Sequence, residues 1–110
     1  MRQSHDPLYI LLRDENVAEF NRQHKAGAPL NFRGLAFRGR DLRELDPRGV
    51  DFGDAYFRDA DLRGIDFRES NLEGASLAGA KISGAYFPAE LCADEIRLSV
   101  EYGTRLRYRR

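Results

Sequence analysis

Apolar side chains recur along this chain with a period that belongs to neither helix nor strand. From Leu30 to Ala89 the sequence divides, without insertion, into twelve consecutive pentads that begin LNFRG, LAFRG, RDLRE. The third pentad position is apolar in eleven of twelve cases, Pro47 being the exception. The first is apolar in ten of twelve, the exceptions being Arg40 and Ser70. The other three positions hold only five apolar residues in 36 places. A helix returns to one face about every 3.6 residues and a strand every 2, so neither holds this pattern on one side through twelve pentads. The chain must turn every five residues. Glycine fills the fifth position seven times, and Asp54 and Asp59 add two more turn-tolerant side chains there.

The flanking segments carry helix signals instead. Asp6-Pro7 reads as an N-cap followed by a proline at the first helical position, opening a helix through about Arg13. Asn16 with Glu19 resembles a capping box for a second helix, with Val17 and Phe20 on its apolar side and Gly27 as its stop. Beyond the repeat, Cys92, Ile96 and Val100 lie four apart on one helical face, and Gly103 ends that helix. An uncovered solenoid end exposes apolar interior and unpaired backbone. Residues 1–29 are therefore assigned as an N-terminal helical cap, 30–89 as the repeat, and 90–110 as a C-terminal capping helix with a basic tail.

The repeat resembles the pentapeptide-repeat family, whose motif A-(D/N)-(L/F)-x-x stands nearly unaltered in Ala60-Asp61-Leu62-Arg63-Gly64. The resemblance implies an all-β solenoid, a right-handed quadrilateral β-helix with four pentads per coil and first and third side chains inward. Twelve pentapeptides then make three coils, with helical caps at the ends. The interior becomes ladders of residues twenty apart, such as Phe32/Phe52/Leu72 and Phe37/Phe57/Leu77. Leu30, Leu35, Leu45, Arg40 and Pro47 break the small-first, large-third alternation, so the first coil is expected to be distorted. Arg40 is expected either to turn outward or to meet a carboxylate of the cap, with Asp14, Glu15 and Glu19 as candidates, since an unpaired buried guanidinium is too costly.

Charge adds little direction. The 110 residues carry 18 basic and 18 acidic side chains, for a formal net charge of zero. The longest apolar run, Leu8 to Leu12, is far short of the ~18 to 20 residues of a membrane span, and no membrane partner is expected. One cysteine, Cys92, cannot form an internal disulfide, which fits the cytoplasm. His5 and His24 have no metal-ligand spacing around them and read as solvent-facing. No serine has a His/Asp pattern beside it and no phosphate loop occurs, so no catalytic, cofactor-binding or metal residues are assigned: the chain reads as a non-enzyme with no cofactor.

Arginine fills the fourth position in seven of the first eight pentads, and aspartate the second at 41, 46, 51, 61 and 66. Most of this reads as a solvated, ion-paired wall. The face with Arg38, Tyr56 and Arg58 has a single acid, Asp59, and is the candidate partner-binding surface because an outward tyrosine between arginines has hot-spot composition. Leu98 and Tyr102, opposite the capping face of the last helix, are the candidate homodimer interface. Arg105, Arg107, Arg109 and Arg110 form the basic tail, which lacks the wider basic patch that nucleic-acid binding needs. The expected function is a non-catalytic protein-interaction module presenting rigid walls to a protein partner. The alternative, implied by the resemblance, is a DNA-mimicking modulator of DNA gyrase or another type II topoisomerase. Two features weigh against it: three coils span only ~14 Å, and the repeat holds 9 basic against 10 acidic residues where a DNA mimic should be strongly anionic.

Overall fold

The fifth pentad position makes the turn. In the computed structural model, which describes residues 4–109, the glycines at positions 34, 39, 49, 64, 74, 79 and 84 have positive φ, as do Glu44, Asp54 and Asp59 in the same register. Gly49 shows why glycine is preferred: its φ is 84°, and a Cβ there would lie 2.6 Å from the Ala28 carbonyl oxygen. Between turns the chain runs extended for only two or three residues, so regular sheet is sparse. Strand β1 (Leu30–Asn31) pairs in parallel with β2 (Val50–Asp51), and single bridges join Ala36 to Tyr56, Asp41 to Asp61, Tyr56 to Ser76, Asp61 to Lys81 and Asp66 to Tyr86. Every one of these pairs residues twenty apart, so pentads stack on the pentads four earlier.

The stacking drives the first and third side chains into one core. Phe32, Phe37, Phe52, Phe57, Phe67, Leu42, Leu62 and Leu72 are fully buried. Rings pack along and across the ladders: Phe37 stacks on Phe57 at 5.2 Å, and Phe52 meets Phe57 edge-on at 5.4 Å. The expected distortion of the first twenty repeat residues is seen around Pro47, where no bridge joins Asp46 to Asp66 among the described residues and Gly49 donates to the Glu69 carbonyl, twenty residues on, where Gly34 and Gly39 reach nineteen. Leu35 and Leu45 are buried and the bridges from 30 to 41 are in register. Pro47 has no amide to donate, and its carbonyl accepts the Ser70 hydroxyl at 2.7 Å, which accounts for a serine at an inward position. Arg40 is half-buried and forms no ion pair among the described residues. Glu15 instead accepts the neighbouring Asp41 amide.

Two helices close the first end. Helix α1 (Pro7–Arg13) is capped by Asp6, whose carboxylate accepts the Leu8 amide at 2.8 Å, and α2 (Val17–Gln23) by Asn16. Helix α2 ends at Gln23 with His24 as C-cap, short of the expected stop at Gly27, which instead turns the chain into the repeat and donates to the Arg48 carbonyl at 3.0 Å. Three cap side chains replace the missing lower rung. Tyr9 donates to the Ala36 carbonyl at 2.8 Å, Glu15 takes the Asp41 amide, and Asn21 bonds both the Glu44 carbonyl (2.8 Å) and the Asp46 amide (2.9 Å). His24 corrects the solvent-facing reading: it is buried, with Nε2 2.8 Å from the Ala28 carbonyl and its ring against Phe20.

The second end is closed by α3 (Ala93–Tyr102), which stops at Gly103 in the left-handed region, and by the segment after it. Ser99 is the fully buried residue of α3, while Ile96 and Val100 are half-buried, so the helix is rotated from the expected Cys92–Ile96–Val100 face. Ser99 Oγ accepts the Leu77 amide at 2.8 Å and donates to the Thr104 carbonyl at 2.6 Å. Arg105 then bridges antiparallel to Ser76, Leu106 is buried while exchanging backbone bonds with Gly74 and Ala75, and the Tyr108 hydroxyl accepts the Leu72 amide. The expected basic tail lies along the last rung, with one antiparallel bridge at Arg105 and backbone or side-chain bonds at Leu106 and Tyr108.

Candidate functional site

On the walls, the second and fourth side chains of a pentad point out on the same side, close enough to join. Asp41–Arg43, Asp46–Arg48, Asp61–Arg63 and Asp66–Arg68 each form a two-pronged fork, with Nε and Nη2 2.6–3.0 Å from the two carboxylate oxygens. The same aspartate also accepts the arginine's own backbone amide. Pairing is thus mostly within a pentad; Arg43 to Asp61 at 3.4 Å, and Arg33 to Asp51 and Asp54, cross between stacked pentads. The arginine hydrogen bonds hold the Asp61 and Asp66 carboxyls down to about 2, and lower those of Asp41 and Asp46.

The candidate wall is differently occupied. Arg38 and Arg58 are exposed and stack in one register, Gly39 donating to the Arg58 carbonyl at 2.8 Å. Arg58 comes within 3.9 Å of Asp59, and Arg38 forms no ion pair among the described residues. Tyr56 is half-buried and already engaged: its hydroxyl accepts from Arg105 at 2.9 Å, and that guanidinium lies 5.3 Å from the ring centroid. Three of the four tail arginines are committed locally. Arg105 also bonds the Gly74 carbonyl, Arg107 pairs with Glu95, and Arg109 donates to the Ala89 carbonyl, while Arg110 lies outside the described residues. The Glu95 carboxyl is lowered by that Arg107 bond.

At the second end, Tyr102 is 72% exposed and Leu98 half-buried. Ile82, Ala93, Ile96 and Val100 line an apolar groove of about 320 Å³, rimmed by Arg97 and Glu101. Sequence reasoning did not find Ser99, Leu106 or Tyr108 as end-closing residues. The signals were there: Ile96, Ser99, Val100 and Gly103 keep helical spacing with small residues on the face, and Arg105 to Arg109 alternates Arg-Leu-Arg-Tyr-Arg at the strand period. Cys92 is half-buried as the α3 N-cap, with no side-chain capping bond. Among the described residues, no three His, Cys, Asp or Glu side chains gather as a metal site would require, and no helix is long and apolar enough to cross a membrane.

Pentads stacked at an offset of twenty, inward first and third side chains and polar forks outside define a repeat solenoid closed by helices. The family model described as Pentapeptide repeats (8 copies) matches residues 31–68 and 51–87, so the chain belongs to the pentapeptide-repeat family. Those repeats imply a quadrilateral β-helix. Comparison with curated proteins and with solved structures gave no match.

Proposed function

We propose that this chain is a non-catalytic protein-binding module: a right-handed quadrilateral β-helix of three coils, capped by 1–29 and 90–110, that offers one cationic wall to an acidic protein surface. The observation that carries the reading is the Arg38/Arg58 stack. The other five fourth-position arginines are paired with aspartate, four of them in forks, whereas Arg38 forms no ion pair among the described residues and Arg58 is only loosely near Asp59. Cations not already satisfied by neighbours are the ones a partner's carboxylates can use. Arg105 borders this wall at the second end but is already committed, to the Tyr56 hydroxyl, the Gly74 carbonyl and, at 4.0 Å, Asp54. Balanced walls argue against imitation of a polyanion, because each fork cancels its own charge.

The test is affinity capture of the tagged chain from extract of its own cells, beside the double reversal Arg38→Glu/Arg58→Glu. The expected result is a protein retained by the native chain and lost by the reversal. Retention of the same proteins by both would overturn the wall assignment. A type II topoisomerase subunit retained by both would support DNA mimicry instead.

A further inference from the structure

The second end is closed on only part of its perimeter. In the lower rungs each pentad presents two amides and one carbonyl to the rung above. Leu62 donates to the Lys81 carbonyl (2.8 Å), Gly64 to the Ser83 carbonyl (3.0 Å), and the Ala60 carbonyl accepts from Lys81 (2.9 Å). Along 70–79 the chain's own end supplies the next set of partners: Tyr108 for Leu72, Leu106 for Gly74 and Ala75, Ser99 for Leu77 and Val100 for Gly79. Along 80–85 nothing does. The Ile82 and Gly84 amides and the Ala80 and Ala85 carbonyls find no partner among the described residues. Ser83 and Gly84 are exposed there, and Ile82 opens into the groove with Ala93, Ile96 and Val100. This is an unpaired strand edge beside an apolar trough.

We propose that this edge binds an extended segment of a partner protein by strand addition, and that the segment carries an acidic residue followed directly by an aliphatic or aromatic one. The inference rests on the protein-binding reading but uses a different surface. The backbone groups require an extended occupant in the register that the rung below already shows. The side chains set its composition. Lys81 is exposed, forms no ion pair among the described residues and tops the stack Asp41, Asp61, Lys81, so the residue placed over it should be acidic. The next residue falls over Ile82, where the trough accepts an apolar side chain. Leu106 shows within the chain that an added segment can satisfy a rung's edge: it runs antiparallel there, exchanging backbone bonds with Gly74 and Ala75 while burying an apolar side chain.

The probe is acetyl-Asp-Leu-Arg-Gly-Ile-Asp-amide, the sequence of residues 61–66, titrated to millimolar concentration into the full-length chain with amide NMR detection. The Ile82 and Gly84 amides should shift, and their hydrogen exchange, fast in the free protein, should slow. Lys81→Glu should weaken binding about threefold, the scale of one exposed ion pair, and should reverse the preference toward the peptide with its first Asp replaced by Lys. Absence of shifts at 82 and 84, or equal shifts from the reversed-order peptide, would overturn the proposal. So would slow exchange at both amides in the free protein with a light-scattering mass of two chains, since a second copy would then fill the edge. Failure here leaves the Arg38/Arg58 reading standing, because those residues lie on another stack.

Discussion

Replacing Phe57 by alanine tests the register on which the whole fold depends. The ring is fully buried, stacked on Phe37 at 5.2 Å and flanked by Phe52 at 5.4 Å and Phe67 at 6.2 Å. A buried phenylalanine removes roughly 200 Å² from water, worth about 5 kcal/mol at ~25 cal/mol per Å² as an upper bound. Residual compact structure in the unfolded chain lowers that figure, and the cavity left between three rings raises it. The expected cost is about 3–5 kcal/mol. A domain of this size has roughly 5–15 kcal/mol in total, so the variant keeps a folded baseline only if the native chain lies in the upper part of that range. Urea denaturation followed by circular dichroism should show a large fall in midpoint, with the slope unchanged where both baselines are visible. Arg58→Ala, next in sequence but exposed, should stay within about 0.5 kcal/mol of the native chain. A loss below about 1 kcal/mol for Phe57→Ala, or an equal loss for Arg58→Ala, would refute the inward third position.

Ser99→Ala should destabilise by about 1–3 kcal/mol, because it strands the buried Leu77 amide as well as removing a bond to Thr104; amide exchange at Leu77 should quicken, and an unchanged rate would count against the hydroxyl's role. For pH, the forked carboxyls of Asp61 and Asp66 sit at about 2 in the folded chain against an ordinary 3.8, so the unfolded chain binds more protons between those values. Their contribution is complete above about 4 and is lost as pH falls through about 2, so the melting temperature should drop across that interval. Carboxyl NMR that finds both groups titrating near 3.8 would remove the effect.

How much of this was legible depends on whether a residue's role repeats. Phe52, Phe57 and Leu62 share one environment at an offset of five, so period alone assigns them inside, and the φ > 0 turns at fifth positions follow from the same register. The ends are different. Glu15, Asn21 and Tyr9 each meet one backbone group once, and a single polar side chain at one position has no periodicity to reveal it. His24 was misplaced for that reason: nothing in its neighbourhood signals that Nε2 finds the Ala28 carbonyl across a loop whose residues 25–27 are exposed. Ser99 and the Arg105–Arg109 alternation carry a readable signal, but the +4 charge of the last nine residues masks it, because the end-closing side chains are Leu106 and Tyr108 between the arginines. Arg38 and Arg58 lie in stacked pentads, as the offset of twenty requires. The occupation of Tyr56 by Arg105 has no signal in the sequence, because it joins residues 49 apart through the docking of the tail along the last rung.

The same contrast explains where selectivity can reside in such a molecule. Each rung offers the next rung the same amides and carbonyls at the ~4.8 Å strand spacing, so nothing within a pentad says where the stack should stop. Stopping is done by side chains that imitate a rung: hydroxyls from Tyr9, Ser99 and Tyr108, a carboxylate from Glu15, and an amide from Asn21. Where the imitation is complete, the edge is satisfied and has no demand left for a partner. Where it ends, as along 80–85, the unmet groups keep the rung's own specificity, and an incoming chain must match both its spacing and its alternation of side chains. The walls obey the opposite logic. Asp–Arg forks repeated from pentad to pentad satisfy each other and make most of the wall a poor discriminator, so on the proposed reading recognition falls to the places where the repeat is broken: Arg38 and Arg58 without forks, and an edge without its next rung.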